Sequence, residues 1–513
     1  MNTRKEKILK GLLGGVAAAV LLSFALPAGA QAPGSGPQQD SKAVSVSKVE
    51  RKNLAPVSKD ILRVKLPKAV ETTLPNGLTV LILEDHRFPT VSVSLTISGA
   101  GPIYEPANQP GLANVTAQLL REGTKTRTSK QFAEEVDTLG ATINANAGFG
   151  SAATAINAQG LSDNLDQWFP MMVDVLLNPT FPAEEVTKLK TRLKGTLRQQ
   201  RAQPGFLANE RFSRAVYGNH PAGVVTTTAE ALDALTPELL AKWHAERYTP
   251  QNAILGIAGD VRAATLLPKL KEWLAGWKKT DLKETLPPNA APTTAKKVYV
   301  VDRPNSVQTT LSMGNIAIDR RDPDYITMVV LNRVLGAGPA SRLFLNLREE
   351  KGYTYGVYSN FTALKYPGPW AAGGDLRTEV TEGAMTEFMK ELNRIRNEKV
   401  LEAELDDARR SVVANFALSL ESPAQLLSYE TIRKLYGFPA DYWDTYPARI
   451  MAVTGDDILS AGKKYINAET MQVVAVGDGS KITAVMEKFG PVEVFNTEGK
   501  PAPKPATAST NNP

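Results

Sequence analysis

Two stretches near the start of the chain recur in its second part, and this repetition constrains the fold more than any other feature. TVLILEDHRFPTVSVSL (79–95) and KVYVVDRPNSVQTTLSM (297–313) both have the pattern of a strand, a charged turn and a second strand. RYTPQNAILGIAGDV (247–261) likewise matches KYINAETMQVVAVGDGS (464–480), with a shared Gly-Asp pair. The offset between the copies agrees to within one residue at these distant landmarks. The sequence therefore predicts a duplicated unit of about 200 residues.

Each unit has the same predicted order of elements: two strands, two helices, a hairpin, several helices and a last strand. In the first unit an amphipathic helix over 131–139 ends at Gly140, and two alternating strand patterns follow. In the second unit a helix over 341–351 ends at Gly352 before a similar hairpin. Strands joined by hairpins, with the helices in runs, predict an α+β fold in which helices pack on largely antiparallel sheets.

Changes in composition mark the boundaries between these parts. The chain after residue 30 and its last segment are rich in Pro and small or polar residues, which is typical of disorder. The predicted organisation is a signal peptide (1–30), a disordered linker (31–66), a first domain (67–283), an inter-domain linker (284–296), a second domain (297–493) and a disordered tail (494–513).

The first 30 residues have the features of an export signal. Four basic residues precede an apolar run from Leu12 to Leu26, and Ala28-Gly29-Ala30 fits the A-x-A cleavage pattern. A membrane anchor is the alternative, but the run is shorter than the ~20 residues that a span needs. We expect cleavage after Ala30 and a periplasmic or secreted protein without a membrane span.

Composition excludes several classes of function. None of the 513 residues is cysteine, which rules out disulfides, cysteine-ligated zinc, thiol catalysis and a lipoprotein anchor. Removal of the signal peptide takes away four basic residues and one acidic residue, so the net charge falls from +6 to +3. Because no block of Lys or Arg remains, we do not expect nucleic-acid binding.

The stretch PGLANVTAQLLREGT (110–124) predicts a mostly apolar helix with two amides on one face. Asn114 and Gln118 are one turn apart, the spacing at which a metal site would have two histidines. Neutral amides are poor zinc ligands, whereas a catalytic zinc needs about three strong donors and an open position. The three histidines of the chain (His86, His220 and His244) are far apart in sequence and have no ligand-like spacing.

Several separated motifs together resemble the M16 peptidase family, which includes insulinases, pitrilysins and mitochondrial processing peptidases. They are LPNGLTVLILEDHRFPTVSVSL, GPIYEPANQPGLANVTAQLLREGT, YGNHPAG, RYTPQN with GIAGDV, and GPASRLFLNLREEKGYTYGVYS, and the resemblance covers about residues 70–490. It implies two tandem homologous units of the M16 or LuxS-metallohydrolase-like type in a clamshell arrangement.

In active members of the family, the opening helix carries His-x-x-Glu-His, with two zinc ligands and a glutamate that activates water. Here Asn114 and Gln118 occupy the histidine positions, and Ala117 replaces the glutamate. In the family a second glutamate, the third zinc ligand, follows at a set distance in sequence after the second histidine. Counting that distance onward from Gln118 reaches Gly195. The resemblance thus implies that this chain has no catalytic residues of its own and binds no metal, and that Zn²⁺ belongs to a catalytic partner.

A second motif of the family is present. LREEKGYTYG contains Arg348 and Tyr355 at the spacing at which family members hold the substrate backbone and the oxyanion. Guanidinium and phenol groups suit that role because they are donors for a developing negative oxygen. The alternative is an arginine bonded to helix-end carbonyls and a tyrosine packed in a core. Aligning Gly140 with Gly352 puts Val136 opposite Arg348 and Ile143 opposite Tyr355, which indicates that the fold does not require the polar pair.

Three functional hypotheses follow. The leading one is a zinc-free M16 subunit that pairs, as a heterodimer or heterotetramer, with a homologue bearing His-x-x-Glu-His, and contributes Arg348 and Tyr355 to peptide binding. The second is a stand-alone peptide-binding or assembly protein with a peptidase-like chamber and no proteolysis. The third is an active hydrolase with rearranged ligands.

Overall fold

The computed structural model describes residues 60–505, and the first half contains one six-stranded sheet. Its strands are β1 (Val70–Thr73), β2 (Thr79–Glu84), β3 (Thr90–Ser98), β4 (Thr142–Asn146), β5 (Ala153–Leu161) and β6 (Ala253–Gly259). Its helices are α1 (Leu112–Leu119), α2 (Ser129–Thr138), α3 (Leu165–Leu177), α4 (Ala183–Arg201), α5 (Pro204–Tyr217), α6 (Ala229–Ala234), α7 (Pro237–Arg247) and α8 (Ala263–Trp273). The strand order is β1-β2-β6-β3-β5-β4, and only the β2–β6 pair is parallel.

The second half has a six-stranded sheet of matching design. Its strands are β7 (Lys297–Asp302), β8 (Gln308–Ile318), β9 (Thr354–Phe361), β10 (Gly368–Arg377), β11 (Gln472–Gly477) and β12 (Val492–Phe495). Its helices are α9 (Tyr325–Leu335), α10 (Arg342–Phe344), α11 (Thr381–Asn397), α12 (Glu402–Ser419), α13 (Pro423–Tyr436), α14 (Tyr446–Met451), α15 (Gly455–Tyr465) and α16 (Gly479–Met486).

The order β12-β7-β11-β8-β10-β9 repeats the first sheet, with β12 in the place of β1. Strand β12 comes from the C-terminal end of the chain and pairs in parallel with β7, whereas β1 directly precedes β2 and forms an antiparallel hairpin with it. The predicted α+β class and the two homologous units are therefore confirmed.

Two helices related by the duplication each pack on the sheet of the other half. Helix α5 lies on β8 and β11, while its counterpart α13 lies on β2 and β6. Both begin with proline, at Pro204 and Pro423, and both are followed by a glycine with positive φ. Leu207 and Phe212 of α5 share a buried cluster with Val474 of β11. Each half therefore completes the core of the other.

The close approach of α13 to the first sheet depends on a glycine. A Cβ atom added at Gly256 of β6 would lie 2.9 Å from a methyl carbon of Leu427 on α13. Strand β6 is buried along its whole length because it packs against helices on both faces. A side chain at position 256 would push the exchanged helix away from the sheet.

The terminal boundaries differ from those predicted. Leu66, placed in a disordered linker, is buried, and its N–H donates to Oδ1 of Asp444 at 2.9 Å. The tail was expected from residue 494, but β12 runs to Phe495, and the Ala502 N–H donates to the Val494 carbonyl at 2.9 Å. A Pro- and Ala-rich composition indicates disorder, yet the edge of β7 offers backbone partners that composition does not reveal.

Other predicted segments contain less regular structure or lie outside the described range. Residues 284–296, which precede β7, contain no helix or strand. The predicted signal peptide, most of the first linker and the last eight residues lie outside the described residues. Within residues 60–505, none of the helices combines the length and apolarity that crossing a bilayer requires.

Candidate functional site

Helix α1 carries the two amides that the sequence placed at a histidine-like spacing, and the structure joins them. Nε2 of Gln118 donates to Oδ1 of Asn114 at 2.7 Å, and Nδ2 of Asn114 donates to the carbonyl of Ala147 at 3.0 Å. Both side chains are half-buried, whereas Ala117 is fully buried. The hydrogen-bonding groups on this face of α1 therefore serve each other and the loop after β4.

These residues do not fit a zinc ion. An amide nitrogen that donates hydrogen bonds has no lone pair for a metal, and Ala117 has no group that could accept a proton from water. Gly195 lies half-exposed on α4, which contacts α1, and contributes no side chain. Within residues 60–505, no group of three His, Cys, Asp or Glu side chains is arranged to hold a metal.

The histidines each interact with their own neighbours. Nδ1 of His86 lies 2.7 Å from Oδ1 of Asp260, and Nε2 of His244 lies 2.7 Å from the carbonyl oxygen of Leu176. His220 is buried against the ring of Tyr217, and desolvation lowers its pKa. The structure thus does not bring these imidazoles to the face of α1 that carries the amides.

Arg121 extends the polar row of α1 to the edge strand of the first sheet. Its Nη1 donates to the carbonyl of Ile143 at 3.2 Å and to Oδ1 of Asn144 at 2.9 Å. Both acceptors belong to β4. The polar row therefore holds α1 against the edge strand.

Glu105 anchors the other end of α1 and was missed by the sequence reasoning. Its Oε2 accepts a hydrogen bond from the Gly111 N–H at 2.9 Å, and Oε1 accepts one from the Ala113 N–H at 2.6 Å. The N-cap residue is Gly111, with φ of 99°, so it has no side chain to cap the helix. Desolvation raises the pKa of Glu105 to about 7 despite the two backbone donors. A glutamate shortly before an uncapped helix was the available signal.

Arg348 lies on a helix that differs from the regular one predicted over 341–351. After α10 the chain continues as a π-helical turn, Leu345–Glu350, and Arg348 is part of it. Its guanidinium lies 4.9 Å from the ring centroid of Phe344, and Nη1 donates to the carboxylate of Glu349. The side chain is 42% exposed, so it is accessible to a ligand.

Tyr355 is 91% exposed at the start of β9, and no hydrogen bond or ring contact of the described residues joins it to Arg348. The two residues are separated by the turn at Gly352, whose φ is 62°. The expectation that Ile143 is the counterpart of Tyr355 is wrong. Counting across the strand ladders from Gly259 and Gly477, the counterpart of Ile143 is the buried Val357. Strand β9 has a bulge near its start, where Tyr355 and Gly356 together lie opposite Asp375 of β10.

Side chains around Arg348 form a supporting cluster that sequence reasoning did not identify. Phe344 is buried, and its ring lies 5.7 Å from that of Tyr358, which is 48% exposed on β9. Nδ2 of Asn346 donates to Glu387 and to Glu391 of α11, both at 2.8 Å. The π-helical turn is therefore tied to α11. The aromatic residue one turn before Arg348 was the only sequence signal for these contacts.

Comparison with known proteins agrees with this architecture. The family model described as insulinase (peptidase family M16) matches residues 79–229, and the model described as peptidase M16 inactive domain matches residues 234–412. An uncharacterised zinc protease of Rickettsia felis is 26% identical over 412 residues, which cover 78% of this chain and 96% of the relative. The uncharacterised zinc protease YmxG of Bacillus subtilis is 24% identical over 362 residues, or 69% of this chain and 85% of YmxG.

Solved structures share the fold of this chain. A peptidase M16 inactive domain from Pseudomonas fluorescens superposes with a TM-score of 0.74 at 26% identity, covering 80% of this chain and 98% of that one. A protease from Helicobacter pylori has a TM-score of 0.73 at 20% identity, covering 80% and 100%. With both family models matched in order along the chain, the chain belongs to the M16 peptidase family.

Proposed function

We propose that this chain is a zinc-free M16 subunit that pairs with a zinc-bearing homologue to form a metallopeptidase, and that Arg348 and Tyr355 bind the peptide substrate. The observation that carries the proposal is the closed amide pair on α1, where Gln118 donates to Asn114. A chain without zinc ligands at this position needs another molecule for hydrolysis. The homologues named zinc proteases support a peptidase context.

Exposure and chemistry support the role of the two residues. The side chain of Arg348 is 42% exposed and Tyr355 is 91% exposed, so both can reach a molecule outside this chain. A guanidinium and a phenol hydroxyl are hydrogen-bond donors, and they suit peptide carbonyl oxygens and an oxyanion. The partner would supply the metal and the general base, while this chain would bind and orient the peptide.

The decisive experiment combines the purified chain with a homologue from the same organism that carries His-x-x-Glu-His. We expect cleavage of fluorogenic peptides only when both chains are present. Arg348→Ala should lower kcat/KM by about 10²-fold, the usual cost of removing one oxyanion donor. Arg348→Lys should be intermediate, and Arg192→Ala, an exposed change on α4, is the control. Zinc-dependent cleavage by this chain alone would overturn the proposal.

A second function, peptide binding without a catalytic partner, is favoured by a cleft of about 480 Å³ between the first sheet and α13. Ser94, Asn157 and Asn144 form one cross-strand row along it. The side chains of Ser94 and Asn157 have no hydrogen bond to any described residue, so they are available to a ligand. If labelled peptides bind the isolated chain but no homologue supports cleavage, this second function is correct.

The proposal includes export to the periplasm. Its support is the basic start, the apolar run and the A-x-A pattern of residues 1–30. Sequencing the N-terminus of the mature protein tests it, and we expect Gln31 as the first residue. An uncleaved N-terminus in the membrane fraction would favour an anchor instead.

A further inference from the structure

A cavity of about 450 Å³ in the second half contains two arginines and six aromatic residues among its lining side chains, but no acidic residue. Side chains from α9, α12, α13 and α14 contribute to it. Its walls are therefore apolar and its charge is positive. Such a combination favours an anionic ligand with an apolar body.

Arg320 is the positive group at the centre of this arrangement. Its side chain is only 6% exposed, and its guanidinium lies 3.7 Å from the ring centroid of Tyr325 and 4.8 Å from that of Phe438. Nη1 donates to the hydroxyl of Tyr442 at 2.9 Å. No carboxylate of residues 60–505 forms an ion pair with it. Buried charges are normally paired, and contacts with ring faces compensate only in part.

Other donors face the same cavity. The hydroxyl groups of Tyr325 and Tyr446 have no hydrogen-bond partner among the described residues, and both side chains line the cavity. Burial raises the pKa of each phenol, so both are protonated donors at neutral pH. Arg333 adds a second guanidinium, whose Nη1 already donates to the carbonyl of Ala337. Asn415 contributes an exposed amide at the rim.

We propose that this cavity binds a carboxylate that carries an aromatic or branched aliphatic group. That chemistry is shared by small apolar acids and by the C-terminal residue of a peptide. Ring contacts cover the faces of the Arg320 guanidinium, so the in-plane N–H groups not bonded to Tyr442 remain for a ligand, and the fork geometry of a guanidinium matches a carboxylate. The apolar group packs against aromatic walls such as Phe361 and Phe416.

The cavity shares no lining residue with the Arg348 and Tyr355 motif. Its occupation is therefore independent of whether a catalytic partner exists. Binding can be measured on the isolated full chain, and a failure here leaves the proposed subunit function untouched.

Calorimetric titration of the full chain with 3-phenylpropionate and with 3-phenylpropanamide tests the proposal. We expect the acid to bind at least about tenfold tighter, because hydrogen bonds to a charged group are stronger than neutral ones. A second pair of probes, a short peptide ending in Phe with a free or an amidated C-terminus, distinguishes a peptide end from a small acid. Equal affinity of acid and amide, or no binding of either acid, overturns the proposal.

Variants locate the site without relying on a change at the buried arginine. Asn415→Asp adds a negative charge at the rim, and we expect it to weaken binding of the acid about tenfold while binding of the amide stays the same. Asn393→Asp, the same change on an exposed position of α11 outside the cavity, is the matched control. Arg320→Lys keeps the charge but loses the planar guanidinium, and it should also weaken binding of the acid. If Asn415→Asp binds the acid with wild-type affinity, the acid does not bind in this cavity.

Discussion

Nε2 of Gln118 donates a 2.7 Å hydrogen bond to Oδ1 of Asn114, across one turn of α1. The resemblance to active M16 peptidases implies that these two positions hold zinc-binding imidazoles in such enzymes. Here the pair is closed by a hydrogen bond and is continued by Asn114 to the Ala147 carbonyl. The interaction gives the Gln118 amide a hydrogen-bond partner on an otherwise buried helix, and an unpaired buried amide would be destabilising.

Replacing this pair should create a metal site. We expect the triple variant Asn114→His, Gln118→His and Gly195→Glu to retain about one zinc per chain after dialysis, because two imidazoles and a carboxylate are a catalytic zinc ligand set. A side chain at position 195 has room, since the atom nearest to an added Cβ would be a guanidinium nitrogen of Arg198 at 4.0 Å. Elemental analysis measures the zinc content, and Gly195→Glu alone is the control. Stoichiometric zinc in the wild-type chain would show that its own residues bind zinc, and would favour the hypothesis of an active hydrolase with rearranged ligands.

Glu105 should make stability depend on pH. Its pKa is raised from 4.5 to about 7, so the folded state binds the proton more tightly than the unfolded state does. The resulting stabilisation is complete below pH 4.5 and is lost as pH rises through about 7. The free energy of unfolding should fall over this range by at most ~3 kcal/mol, and by less because the side chain is partly exposed.

Denaturant unfolding at pH 5 and pH 8 measures this effect. The Glu105→Gln variant cannot ionise there, so its fall in stability between the two pH values should be smaller than that of the wild type. The exposed Glu134→Gln is the matched control and should behave like the wild type. Identical pH dependence of wild type and Glu105→Gln would show that Glu105 titrates normally.

Much of the fold could be predicted because it is encoded locally. The strand pairs, the helix that ends at Gly140 and the duplication all follow from short patterns that repeat along the chain. The exchange of α5 and α13 could not be predicted, because it depends on contacts such as that between Gly256 and Leu427, which are distant in sequence. Periodicity shows that a helix has an apolar face, and it does not show which sheet that face covers.

The sequence likewise predicted only part of the candidate site. Asn114, Ala117 and Gln118 lie on one helix, so their spacing alone predicted that they share a region. Ile143 is not the counterpart of Tyr355, because a bulge in β9 shifts the register of that strand relative to the first sheet. Glu105 also escaped notice, because it reaches the helix by folding back over an intervening loop. Register shifts and such loop contacts have no periodic signature.

Asn346 should matter for the geometry around Arg348. Its amide bridges Glu387 and Glu391, and its loss would remove two hydrogen bonds to charged acceptors. We expect Asn346→Ala to lower the free energy of unfolding by roughly 1–3 kcal/mol. Asn346→Asp should cost more, since it brings three carboxylates together. Thermal unfolding measures both, and Asn393→Ala on the exposed face of α11 is the control. An unchanged melting temperature in Asn346→Asp would argue against the bridge.

A double-mutant cycle between Gly256 and Leu427 tests the exchanged packing of α13. Gly256→Ala would put a Cβ atom 2.9 Å from Leu427 and should cost roughly 1–3 kcal/mol of stability by overpacking. Leu427→Ala removes a buried side chain and should cost roughly 2–5 kcal/mol. The double variant should be less destabilised than the sum, by roughly 0.5–3 kcal/mol, because the smaller side chain makes room for the new methyl group. Denaturant unfolding gives the four values. Strict additivity would mean that Leu427 of α13 does not press on Gly256 of β6.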